Sequence, residues 1–268
     1  MRRLPIVFVA ALVAALALAA SPAGAITFGK PDGNLHPNVG ALLTDWDEES
    51  PGLDILCSGT LIAPRVFQTA SHCLAGIETP LFVTFATAYD EDSTSTAGTF
   101  SGTGHMHPLF GSGGFSNTFD IAVVVLDQAP GLAPAQLPRV GLLNDLKASG
   151  ALRNQTFTAV GYGTVREDKR TGPHAFFFDG IRRYALQSLL SLQKAWLGLS
   201  MQPSTGDGGT CFGDSGGPHF LGGKTSNLIV SLTVTGDAMC RATDKTYRLD
   251  TPWSRDFLEQ FPGVDYPG

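Results

Sequence analysis

The chain has 268 residues, with 18 Lys and Arg against 24 Asp and Glu, for a formal net charge of −6. This acidic balance, with no basic run longer than a pair such as Arg182-Arg183, argues against nucleic acid or an anionic membrane surface as a partner. No segment calls for a cofactor.

The first 25 residues read as a secretory signal peptide. Met1-Arg2-Arg3 is positive, Leu4 to Ala20 is apolar and uncharged, and Ala23-Gly24-Ala25 places small residues as a signal peptidase needs them. A membrane anchor is the competing reading. The apolar run of about 17 residues sits at the short limit for a span and has no basic stop after it. Cleavage after Ala25 removes Arg2 and Arg3 and no acid, so the mature charge is expected to be about −8. The chain is expected to be secreted, monomeric and free of the membrane once cleaved.

Short β-type runs then recur at Val39–Leu43, Ser58–Ile62, Val66–Ala70, Leu81–Ala86 and Ile121–Leu126. They continue at Thr156–Val160, Leu228–Val234 and Thr246–Leu249. Turn residues separate them, which predicts an all-β sandwich or barrel. The proline-bearing stretch from Asp127 to Gly150 reads as a loose connection between two halves, and Thr164 to Gly180 as an extended loop. Thr251 and Pro252 predict a helix start. Trp253, Phe257 and Phe261 then fall four apart on one apolar face. The sequon Asn154-Gln155-Thr156 matters only in a glycosylating host.

Cys57, Cys73, Cys211 and Cys240 form an even set in an exported chain, which reads as two disulfides with three connectivities open. Metal binding lacks the usual ligand spacing. His105 and His107 alternate and are expected on opposite faces of a strand, so no metal is expected.

The stretch Gly213-Asp214-Ser215-Gly216-Gly217-Pro218 is the most informative. Its glycines and proline fix an unusual backbone around one serine. Such a turn suits a nucleophile beside an oxyanion hole, with backbone N–H groups of Gly213 and Ser215 aimed at one point. A serine nucleophile needs a base. His72, in Thr69-Ala70-Ser71-His72-Cys73, is the candidate. The base needs an orienting carboxylate, and Asp120 opens the apolar run Ile121–Leu126.

Taken together, these segments resemble the trypsin/chymotrypsin-like serine proteases, in which the triad comes in the order His, Asp, Ser. The resemblance runs from Ile26 to the C-terminal helix. It implies two packed six-stranded antiparallel β-barrels with a C-terminal α-helix. The first barrel would span about 26–126, the linker 127–150, the second barrel about 151–250 and the helix 251–262. It implies catalysis by His72, Asp120 and Ser215, and cleavage of a polypeptide substrate. It implies disulfides Cys57–Cys73 and Cys211–Cys240, and an ion pair between a new amine at Ile26 and Asp214. Exposing Ile26 directly by signal cleavage would leave no separate activation segment.

The resemblance also places Gly209, Ser231, Thr233 and Lys245 around the primary substrate pocket, with Ser231 bonded to Asp120. No acid stands at Gly209, which excludes selection of Lys or Arg by that position. Thr233 is expected to narrow the pocket. Lys245 would favour an acidic substrate side chain if it pointed inward, and a small or apolar one if it turned to solvent. A catalytically silent binding protein on the same fold and an esterase with the same triad are the competing functions.

Overall fold

The computed structural model describes residues 26–46, 52–166 and 176–267. The signal peptide therefore lies outside the described residues, as does the middle of the 164–180 loop. After a short strand β1 (Lys30–Pro31), six strands close into a first antiparallel barrel. These are β2 (Val39–Thr44), β3 (Asp54–Ala63), β4 (Val66–Thr69), β5 (Leu81–Thr84), β6 (Thr99–Met106) and β7 (Ala122–Leu126), in the order β2-β3-β4-β7-β6-β5. Strand β6 closes the ring with a glycine-bearing sequence. A Cβ at Gly102 would lie 2.7 Å from Val124 and 2.8 Å from the Val125 carbonyl, so glycine lets the neighbouring strand pack there.

The second barrel is built from β8 (Thr156–Gly161), β11 (Arg183–Leu192), β12 (Trp196–Ser200), β13 (Pro218–Leu221), β14 (Ile229–Gly236) and β15 (Thr243–Arg248). The order β11-β12-β15-β14-β13-β8 is closed by pairing of β8 with β11, and β1 adds to the outer edge of β11. A small hairpin, β9 (Val165–Arg166) with β10 (Phe176–Phe177), stands apart. Both barrels are antiparallel, and the chain is all-β as expected.

The connection between the barrels is more ordered than its prolines suggest. It holds helix α1 (Leu142–Ala148). Leu143 is buried, and Leu142 and Leu146 pack on the same apolar cluster. Gly141 offers no capping side chain. The carboxylate of Asp250 instead accepts the Leu143 N–H at 2.8 Å, a cap supplied from across the fold. The C-terminal helix α2 (Pro252–Leu258) begins as expected, with the Thr251 hydroxyl accepting from the Ser254 N–H. It ends four residues short of the expected boundary, and Phe261 reaches the core from the turn that follows.

A polar network that the sequence reading missed ties the barrels together. The Arg182 guanidinium is fully buried. It donates to the Asp32 carboxylate at 3.0 Å, to Asn34 Oδ1 at 2.9 Å, and to the carbonyls of Val39 and Phe85 at 2.9 and 3.1 Å. Asp32 also accepts from the His36 backbone N–H at 3.0 Å and lies 2.6 Å from His36 Nδ1. Burial pushes the Asp32 carboxyl up, but the His36 hydrogen bonds and the charges of His36 and Arg182 outweigh it and hold it below its ordinary value of 3.8. A depressed carboxyl adds stability above its ordinary range and loses it as the pH falls through that range. Replacing Arg182 with Leu leaves a buried carboxylate without its cation, and is expected to cost about 3–5 kcal/mol at pH 7 in urea denaturation. The deficit should shrink as the pH is lowered towards 3, because protonation of Asp32 removes the unpaired charge.

Candidate active site

Three segments converge between the barrels. The first is the single 3-10 turn Ser71–Cys73 that follows β4. The Ser71 hydroxyl donates to the Ile121 carbonyl at 2.6 Å and accepts the His107 N–H at 3.2 Å. The Cys57–Cys73 disulfide pins the other side of the turn to β3. His72 is thus held from both neighbours.

The second segment brings Asp120. Phe119, just before it, has a φ of 51°, a left-handed backbone that is costly for a bulky residue. Its ring stacks on His107 with centroids 4.8 Å apart. The Asp120 carboxylate, 5% exposed, then accepts twice from one residue: the His72 backbone N–H at 2.9 Å and His72 Nδ1 at 2.8 Å. A carboxylate on Nδ1 keeps the proton there and leaves Nε2 as the basic atom.

The third segment is the Ser215 turn. Gly213 and Gly216 have φ of 90° and 78°. A Cβ at Gly216 would strike the Thr69 hydroxyl, and one at Gly217 would lie 2.8 Å from the carbonyls of Asp214 and Val160. The turn is anchored on Ser58 of the first barrel. Ser58 N donates to the Ser215 carbonyl at 2.9 Å and its hydroxyl to the Gly213 carbonyl at 3.0 Å. Among the described residues, the N–H groups of Gly213 and Ser215 meet no acceptor. His72 Nε2 and the Ser215 hydroxyl are not hydrogen-bonded to each other. Such contacts are often long before substrate binds. Ser58 was not singled out from sequence; its place next to Cys57 was the available signal.

Asp214 is fully buried. It accepts N–H groups from Gly163 and Cys211, each at 2.8 Å. Burial, with the nearby Asp244 charge, pushes its carboxyl up to about 7 against those two bonds. Ile26 is also buried, packed with Ala159 and Ala185, and has a left-handed φ of 52°. No hydrogen bond links Ile26 to Asp214 among the described residues. The second disulfide joins Cys211 to Cys240, as the family resemblance implied.

A cavity of about 140 Å³ opens beside Ser215, lined by Thr210, Phe212, Thr233, Asp237 and Cys240 among others. Of the four expected pocket residues, Thr233 lines it. The other three are displaced. Gly209 lies against Met201 and pairs with Thr27. The Ser231 hydroxyl accepts from Thr246 at 2.8 Å inside the barrel and does not bond Asp120. The Lys245 ammonium sits 4.4 Å from the Trp196 ring centroid, in a separate cavity of about 320 Å³. Nitrogen and sulfur atoms of Cys57, His72 and Cys73 come together, but both sulfurs are spent in the disulfide.

A family model described as Trypsin matches residues 46–254. Among solved structures, the chain is similar to one described as HL collagenase. The TM-score is 0.61 at 18% identity, over 86% of this chain and 95% of that one. At that identity the likeness concerns the fold. No curated protein matches.

The Asp214 site carries a pH signature while the Ile26 nitrogen remains in a peptide bond. A carboxyl raised above its ordinary value of 3.8 favours folding when protonated, and that contribution is lost as the pH rises from about 4 to about 7. Asp214→Asn in a chain extended before Ile26 should remove this slope. Its stability relative to the unsubstituted chain should grow by on the order of 4 kcal/mol across that range, read by urea denaturation.

Proposed function

The chain belongs to the trypsin family, which is of serine-protease kind, and on that premise we propose that it is a secreted serine endopeptidase working through an acyl-enzyme. The observation that carries this reading is Asp120 gripping both the backbone N–H and Nδ1 of His72, in the crevice that also holds a glycine-bounded serine. In the proposed reaction His72 Nε2 takes the proton of Ser215 as its oxygen attacks the substrate carbonyl. The unused N–H groups of Gly213 and Ser215 receive the developing oxyanion. His72 then protonates the leaving amine, and water, activated by the same imidazole, hydrolyses the ester. One oxyanion donor is worth about 10²–10³ in rate and a placed base about 10²–10⁴.

We also infer that signal cleavage after Ala25 frees the Ile26 amine to pair with Asp214. Two facts support this. Ile26 is already buried in the second barrel. Asp214 is a buried acid whose side-chain hydrogen bonds among the described residues come from two backbone amides. An ammonium there would offset the desolvation that raises its pKa. N-terminal sequencing of the exported protein should begin at Ile26; a start at Ser21 or Gly24 would require another trimming step.

A fluorophosphonate probe should label the wild type at Ser215 and leave Ser215→Ala unlabelled. Absence of label on the wild type would favour a silent binding protein on this fold. Asp120→Asn should still fold and bind, while kcat for peptide hydrolysis drops by about 10⁴ because the imidazole loses its correct tautomer. Turnover of esters with none of peptides would instead identify an esterase.

A further inference from the structure

Behind the cavity beside Ser215 lies a buried polar chain that runs through four strands of the second barrel. It links Asp244 on β15, Gln187 on β11, His219 on β13 and Thr233 on β14, all buried. Gln187 Nε2 is 2.9 Å from Asp244 Oδ2, Gln187 Oε1 is 2.8 Å from His219 Nδ1, and His219 Nε2 is 2.9 Å from Thr233 Oγ1.

The direction of these bonds follows from the first of them. A carboxylate only accepts, so Gln187 must turn its NH₂ towards Asp244. Its carbonyl then faces His219 and requires a proton on Nδ1. Burial pushes the His219 imidazole below its ordinary value despite the Asp244 charge, which favours the neutral ring. Neutral with Nδ1–H, the ring leaves Nε2 as an acceptor. Thr233 must therefore donate its hydroxyl proton to Nε2, and only oxygen lone pairs remain for the cavity that it lines. The opposite direction would set the Gln187 carbonyl against the Asp244 carboxylate at 2.9 Å, two acceptors face to face. The direct approach of His219 Nε2 to Asp244 Oδ2, at 3.6 Å, is beyond hydrogen-bond reach, and Asp244 Oδ1 has no partner among the described residues.

The remaining walls agree in polarity. The Asp237 carboxylate accepts backbone N–H groups from Met239, Ala242 and Thr243 at 3.2, 2.8 and 2.9 Å, with weaker bonds from Arg241. Burial pushes its carboxyl up, but these bonds hold it below the ordinary value. It is a negative wall whose charge is already engaged. The Thr210 hydroxyl has no partner among the described residues and can rotate to suit. The cavity volume of about 140 Å³ resembles one that holds a benzene-sized group, too small for an indole.

We propose that this pocket selects an uncharged hydrogen-bond donor, of the glutamine or asparagine class, at the residue whose carbonyl Ser215 attacks. Thr233 is the specificity-determining residue, and His219, Gln187 and Asp244 are positioning residues that fix its hydroxyl. The proposal rests on the reading of Ser215 as the nucleophile. An acidic side chain would meet lone pairs and the Asp237 charge. A lysine or arginine would find no free anion among the lining residues, since the carboxylate of Asp237 is bonded to the backbone.

The test uses the exported enzyme and peptides that differ only in the residue before the cleaved bond: Gln, its apolar isostere Met, Glu, and Arg. The expected kcat/KM for Gln exceeds that for Met by about fivefold to tenfold, the worth of one net hydrogen bond, and exceeds those for Glu and Arg by more. Thr233→Val should bring the Gln-to-Met ratio to about one, while Thr233→Ser retains it. Fluorophosphonate labelling of Ser215 shows that each variant keeps its site; if Thr233→Val loses label, Thr233→Ala replaces it in the comparison. A labelled wild type that prefers Met, Glu or Arg overturns the pocket proposal alone, as does a ratio unchanged by removing the hydroxyl. A wild type that neither labels nor cleaves any of the peptides overturns the protease reading, and the pocket proposal falls with it.

Discussion

The grip of Ser58 on the Ser215 turn is the contact on which the rest of the crevice depends. One residue of the first barrel donates from its backbone to the Ser215 carbonyl and from its hydroxyl to the Gly213 carbonyl. The same hydroxyl accepts the Tyr162 N–H at 3.0 Å, from the end of β8 in the second barrel. Ser58 follows Cys57, whose disulfide holds the turn bearing His72. A shift of one barrel relative to the other would therefore move the imidazole and the serine turn together. Glycines make that approach feasible. At Gly216 and Gly217 a side chain would fill the space that the first barrel and the Asp214 backbone occupy.

Four of the buried acids are accommodated in four different ways. Asp32 has a guanidinium and a histidine. Asp120 has one imidazole and the backbone beneath it. Asp244 has an amide that relays its polarity onward. Asp214 has two backbone amides. Burial without a counter-charge is expensive, and of these four Asp214 is the one pushed up to about 7. This electrostatic cost thus falls on the residue directly before Ser215. There, a single amine inserted next to Asp214 would change both stability and the geometry of the turn.

Legibility from sequence followed the rigidity of the local signal. The Ser215 turn was readable because its glycines and proline demand special backbone. The strand pattern was readable where β-branched residues run together, as at Ile121–Leu126. Strand β6 was missed because its glycines, needed for close packing, resemble a loop. Helix α1 was missed because its cap comes from Asp250, more than a hundred residues away. The Arg182 network was missed for the same kind of reason: Asp32, Asn34 and His36 lie in an unremarkable polar stretch, and their partner is distant in the chain.

The pocket misassignment has a geometric cause. Counting along β14 from a motif assumes a regular ladder, but the pairing of β14 with β15 shifts register between Thr233 and Thr235. What fixes the strand is its pair of bonds to the serine turn: Gly216 N donates to the Thr233 carbonyl, and Thr233 N donates to the Gly217 carbonyl. These set Thr233 against the Ser215 turn. Side chains in a strand alternate faces, so Ser231 shares a face with Thr233 but lies about 6.6 Å further along. That distance takes its hydroxyl into the barrel, to Thr246. The same shift carries Lys245 out to Trp196. Of the four residues expected at the pocket, the one that reaches the cavity is therefore Thr233, whose hydroxyl is bonded to His219. From that hydroxyl the chain of hydrogen bonds runs through His219 and Gln187 to the carboxylate of Asp244.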